Sequence, residues 1–167
     1  MIQKIKPSTE KYFEILLKLN NRKIESEGDK LTIGIFDESN FKDVKENLNN
    51  TIDGILNFFN IKSKSKDILD TGKLYACNIE IEEKKGESVS TEIADGLIGE
   101  PKYFAFIINK GDISSINLAE LIGLYINYAS KFFDCKKSFF ASGSDGSIRK
   151  IGFILEANEP IKLSYII

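Results

Sequence analysis

Tyr103 to Phe133 is the most apolar stretch of this chain, and it constrains the fold more than any other. An apolar run, KYFAFIIN, leads through a short turn at Lys110-Gly111-Asp112 into ISSINLAELIGLYINYASKFF. The first segment reads as a strand and the last as a long helix. At helical spacing Asn117, Glu120, Asn127, Lys131 and Asp134 fall within a sector of roughly 100°, and the rest of the circumference is apolar or small. A surface helix shows the opposite proportion. The pattern therefore predicts a buried central helix whose narrow polar stripe reaches solvent, a cavity or a partner. A run of roughly 20 residues has the length of a membrane span, but Glu120, Asn127, Lys131 and Asp134 interrupt it. A core helix or an oligomer-interface helix is expected, and no membrane segment.

The chain has 167 residues, which predicts one α/β domain over 1–167. A chain of this size buries about two-thirds of its unfolded surface, enough for a real core. The net charge of −2 gives no electrostatic footprint for nucleic acid or an acidic membrane. Arg22 and Arg149 are the only arginines, so bidentate clamps on phosphate or carboxylate are scarce. The chain has no histidine, which excludes a Ser-His-Asp triad, a Cys-His dyad and His-containing zinc sites. Cys77 and Cys135 are too few for a four-thiolate zinc site and read as free thiols in a reducing compartment. MIQKIKPSTEK has no apolar core of a signal peptide, and a cytoplasmic location is expected.

Taken in order, residues 8–22 predict a helix with Pro7 and Ser8 at its start. KIESEGDK reads as a polar turn and LTIGIF, Leu31 to Phe36, as a strand. Ser39 or Asn40 would cap the next helix, in which Phe41, Val44, Leu48, Ile52, Ile55 and Phe59 recur at spacings of three or four. That helix is expected to fray near Asn60, and the run IKSKSK to form a solvated loop. KLYACNIEIE alternates, with Tyr75, Cys77, Ile79 and Ile81 on one face of a half-exposed strand. Residues 83–99 read as a mobile loop over a site or as a linker, with a short helix at Thr91–Asp95 left open. SFFASG and SIRKIGFIL are joined by a hairpin signal at Ser144-Asp145-Gly146, and IKLSYII is a final strand after Pro160.

Few residues carry a chemical signal. SGSDGS, followed by Arg149 and Lys150, has the glycines to cradle a phosphate, but it lacks the ending and the strand-to-helix setting of a P-loop. It reads better as an ordinary turn with a basic strand edge. The acidic residues Asp37, Glu38, Glu80, Glu82 and Glu83 read as caps and solvated faces. Cys135 would be a reactive thiol if Lys136 and Lys137 favoured its thiolate, or else a small buried residue. Glu120 lies in the polar stripe one turn after Asn117, where a half-buried carboxylate needs hydrogen-bond partners or a raised pKa.

One further pattern combines these segments. Gly99-Glu100-Pro101 precedes the strand YFAFII, a polar turn, the helix NLAELIGLYINYAS, then FFDCKKSFF and a last strand after EANEPIKLSYII. This order resembles the C-terminal half of nitroreductase-like flavoproteins, in particular the divergent TM nitroreductase subgroup, mainly over residues 97–167. Asn117-Leu118-Ala119-Glu120 is similar to the end of that group's GYxGE motif, and Phe132-Phe133-Asp134-Cys135 falls near its GLgTC. The family's opening RRSxR helix has no counterpart in MIQKIKPST, and the glycines of GYxGE are absent.

The resemblance implies an α+β fold with a mixed, mostly antiparallel sheet, a buried central helix and a homodimer. It implies FMN as cofactor, with Asn117 and Glu120 on the pocket wall; Arg149 and Lys150 are the phosphate ligands the chain offers, at a position that does not match the family's motif. The chain would then be an FMN-dependent NAD(P)H oxidoreductase acting on a small molecule, or a relative that has lost flavin. The residues themselves support a second expectation, a small non-enzymatic binding or regulatory domain acting through protein contacts.

Overall fold

A computed structural model describes residues 2–5, 24–36, 41–86, 91–97, 102–130, 135–143 and 148–157. Nine strands and two helices follow in the order β1 (Ile2–Ile5), β2 (Ile24–Glu27), β3 (Lys30–Phe36), α1 (Phe41–Phe58), β4 (Ser63–Asp70), β5 (Leu74–Ile81), β6 (Thr91–Leu97), β7 (Lys102–Asn109), α2 (Ser115–Ala129), β8 (Cys135–Ser142) and β9 (Lys150–Ala157). The fold is α+β. Its strands form two sheets rather than the one expected: a five-stranded sheet ordered β1-β6-β7-β3-β2 and a four-stranded sheet ordered β4-β5-β9-β8. All pairings are antiparallel except β1 with β6. The expected helix over 8–22, the cap at Ser39 or Asn40 and the strand after Pro160 lie outside the described residues.

The expected period of α1 is present, and Leu48, Ile52, Ile55 and Phe59 are buried. Burying side chains of this size contributes about 2 kcal/mol each. Nor does the helix fray at Asn60. That residue takes a left-handed conformation with φ 56°. Its N–H donates to Asn57 O (3.1 Å), and Ile61 N–H donates to Leu56 O (2.9 Å). These two bonds close a Schellman cap, sealed by the buried pair Leu56 and Ile61.

Three sequence expectations change. KIESEGDK is not a simple turn, because Ile24–Glu27 pairs antiparallel with residues 30–33 of β3 around Gly28, whose φ is 58°. IKSKSK is not a loop but the start of β4, an edge strand made by its pairing with β5 rather than by its own pattern. A register shift between Ser63 and Ser65, with lysines on either side, blunts this edge against further pairing. Thr91–Leu97 is neither a lid nor a helix: it is β6, held between β1 and β7.

The alternation read in β5 is present, with Tyr75, Cys77, Ile79 and Ile81 buried. With Ile151, Phe153, Leu155 and Ala157 of β9 they make the inner face of the four-stranded sheet. Both helices pack on this face. Lys45 and Asp53 of α1 pair with Asp70 and Lys66 of β4, and Gly123 of α2 meets the Phe139 ring of β8. The helix α1 also touches β2 and β3 of the other sheet. Leu31, Ile33 and Ile108 of the five-stranded sheet join the helices and the four-stranded sheet in one buried cluster.

The helix α2 starts at Ser114, whose Oγ accepts from Asn117 N–H (3.2 Å), and ends at Ala129. Leu118, Leu121, Ile122, Tyr125 and Ile126 are buried within this one chain. Most of the apolar circumference that made an interface helix an option is therefore covered by the protomer itself, and Ile116 stays exposed. Among the described residues no helix is long and apolar enough to cross a membrane.

Candidate functional site

Among the described residues, the outer face of the four-stranded sheet is an unusual surface. Strand alternation turns Leu69 of β4, Ala76 of β5 and Ile154 of β9 away from the helices, and the registers place them in one row. A sheet with one face on the core normally carries polar residues on the other. Here Leu69 is 53% exposed, Ile154 37% and Phe140 of the neighbouring row 42%. The Phe140 ring lies over its cross-strand partner Gly152, where no side chain could stand beneath it. Asp67, Leu69, Ala76, Asn78, Phe140 and Ile154 line a shallow depression of about 250 Å³ between them.

Charged rows bound this patch at both ends. Glu80 stands opposite Lys150 on one side, and Glu156 opposite Lys136 on the other. Asp67 and Glu80 give the β4–β5 half an acidic character, while the β8–β9 half carries Lys136 and Lys150 together with Glu156. The arrangement suits contact with another apolar surface that carries charges at its rim.

A second cluster lies on the inner face, between α1 and the β4–β5 hairpin. The Lys45 ammonium, buried with 5% of its side chain exposed, pairs with Asp70. It also stands 5.9 Å from the centroid of the Tyr75 ring. Asp70 Oδ1 additionally accepts from Gly72 N–H (2.9 Å), so one carboxylate ties the hairpin turn to α1. Lys66 Nζ donates to Asp53 Oδ1 at 2.6 Å. Burial pushes the Cys77 thiol up to about 11, with nearby Asp53 and Asp67 adding to the effect and Lys66 opposing it. Burial also raises the Tyr75 phenol, helped by Cys77, Asp70 and Asp53. Both groups stay protonated and unreactive at neutral pH. This cluster holds elements together, and it has no activated nucleophile. Among the described residues no group of three or more His, Cys, Asp or Glu could hold a metal ion.

The four residues expected at a flavin site are spread over the fold. Asn117 is half-buried in the first turn of α2, and Glu120 is exposed rather than half-buried. Arg149 is exposed just before β9, with Nη2 3.9 Å from Glu83 Oε2. The Ile148 N–H donates to Ser115 Oγ (3.4 Å), which brings the approach to β9 close to the start of α2. Lys150 turns to the outer face with Gly152 and Ile154, across the sheet from α2. Ser144-Asp145-Gly146, within the phosphate-cradle candidate, lies outside the described residues. Cys135 is half-buried at the start of β8 and is not in a disulfide with Cys77.

Sequence reading missed Leu69, Phe140 and Ile154. The signal for Phe140 and Ile154 was present in CKKSFFAS and KIGFILEA, where apolar residues occupy both parities of the strand. A strand apolar on both faces is one whose two faces both seek cover. Comparisons with protein-family profiles, curated proteins and solved structures return no match to this chain.

Proposed function

We propose that this chain is a non-enzymatic protein-interaction domain, and that the outer face of its four-stranded sheet is the surface it uses. The observation that carries this reading is the row Leu69, Ala76 and Ile154 with the Phe140 ring beside it, apolar where alternation calls for polar residues. The depression among them is shallow and open-sided, which suits side chains of a protein partner better than an enclosed small molecule. Homodimer formation belongs to this reading. So does a reducing, cytoplasmic setting, which two thiols outside any disulfide support.

A flavin-dependent oxidoreductase working through Asn117, Glu120, Arg149 and Lys150 is the alternative. It draws less support, because Lys150 stands across the sheet from Asn117 and Glu120.

A photo-crosslinking side chain at Ser138, opposite Ile154 in the apolar row, tests the interaction reading. Irradiation of the protein alone, and in extract of its source cells, is expected to give a protein adduct that Leu69→Glu abolishes. No adduct under either condition would sink the proposal.

A further inference from the structure

We infer that the partner on this face is a second copy of this chain, related by a two-fold axis that runs parallel to the strands between β5 and β9. The inference rests on the interaction reading above. It is carried by the way charge and side-chain size are distributed across the sheet.

Such an axis lays β5 on the partner's β9 and β4 on the partner's β8, and keeps each row facing its own row. Glu80 of β5 and Lys150 of β9 share a row. Across the axis Glu80 then meets the partner's Lys150, and Lys150 meets the partner's Glu80, so each dimer gains two opposed-charge contacts. Ala76 and Ile154 also share a row. The smaller Ala76 then faces the partner's larger Ile154, and the reverse contact forms on the other side of the axis. Asn78 and Gly152, paired in the next row, are exchanged in the same way and bring the ring over Gly152 against the partner's Asn78. No like charges are brought together. The same axis places Phe140 of β8 opposite the partner's Asp67 of β4, with its ring turned from there toward Gly152.

The size of the face sets the strength. Four strands of about eight residues, at roughly 4.8 Å between strands and 3.3 Å per residue, present on the order of 500 Å² per copy. That is near the lower end for specific interfaces, so the dimer is weak and depends on concentration. Aligned packing of two twisted sheets accommodates this geometry.

The test is sedimentation of the full chain over a concentration series. The wild type is expected to self-associate. Glu80→Lys and Lys150→Glu each place like charges across the axis, and each alone is expected to weaken association by about tenfold or more. An equimolar mixture of the two variants restores complementary pairs across the axis without changing either fold, and is expected to associate at least as well as the wild type. A wild type that stays monomeric, or a mixture no better than its separate components, would overturn the inference. Ile154→Gln is the second variant, since this side chain lies on the outer face, away from the buried cluster. It is expected to weaken association as well, and unchanged association would count against the proposed face. Monomeric wild type together with a Ser138 crosslink to a different protein would overturn the second copy alone. The loss of every adduct would overturn the interaction reading itself.

Discussion

The ring of Phe140 lies across Gly152, its cross-strand partner on β9, more closely than any Cβ at position 152 could tolerate. The aromatic ring covers backbone that glycine leaves bare, and the absence of a side chain lets the ring lie flat on the sheet. Its neighbour Phe139 points to the other face and does the same for Gly123 of α2, whose added Cβ would stand 2.9 Å from the ring. Two consecutive phenylalanines thus seal both faces of one edge strand.

This relationship predicts coupled substitutions. Gly152→Ala must lift the far end of the Phe140 ring, which is partly exposed and can move, and is expected to cost about 1 kcal/mol. Phe140→Ala alone should cost less, since the ring is partly exposed. In the double variant the clash is gone, so the two effects should fall short of their sum by more than about 0.5 kcal/mol. Urea denaturation of the three variants measures this, and strictly additive losses would contradict the geometry.

Asn60 gives a prediction of opposite sign. Its φ of 56° is costly for a residue with a Cβ, and the Schellman cap requires it. Asn60→Gly is expected to stabilise the chain by about 0.5–1 kcal/mol, because glycine reaches this conformation without strain. Asn60→Val should destabilise it by at least about 1 kcal/mol. Thermal melting of both variants checks the signs.

How much of this was legible in the sequence depended on whether the signal was local. The period of Leu48, Ile52, Ile55 and Phe59 announced α1, and the alternation of Tyr75, Cys77, Ile79 and Ile81 announced β5. The hairpin of β8 and β9 followed from apolar runs flanking a turn signal. In contrast, Ser63–Asp70 has no apolar alternation of its own, and only its partner β5 makes it a strand. Likewise β6 is held between β7, which follows it directly, and β1, which is distant in sequence. The candidate face was hidden for the same reason: Leu69, Ala76 and Ile154 become a row only through two strand registers. The residues expected to hold FMN were chosen by segment order, which says nothing about the side of a sheet on which Lys150 stands.

The buried thiol and phenol predict how stability varies with pH. The Cys77 thiol is raised from 9.0 to about 11 in the folded chain, and Tyr75 is raised as well. Where the unfolded chain has already released these protons and the folded one has not, the unfolded state binds fewer protons and stability falls as pH rises. The contribution from Cys77 is therefore complete below about pH 9 and is lost as pH climbs through about 11. Urea midpoints should be flat in this respect near neutrality and drop across that interval, with Cys77→Ala showing a shallower drop. A midpoint that rises over the same interval would contradict the burial of Cys77.

The flavin alternative makes a prediction that the interaction reading denies. If Asn117, Glu120, Arg149 and Lys150 formed an FMN site, added FMN would bind only the folded chain and raise its melting temperature with ligand concentration. With Lys150 on the outer face and Asn117 and Glu120 on α2, no such rise is expected. The protein should also purify without the visible absorbance of an oxidised flavin. A dose-dependent increase in melting temperature that Arg149→Ala abolishes would reverse this ranking and make the chain an FMN-binding protein. A rise that survives that substitution would place flavin elsewhere on the fold, and would still remove the argument that its chemistry is confined to protein contacts.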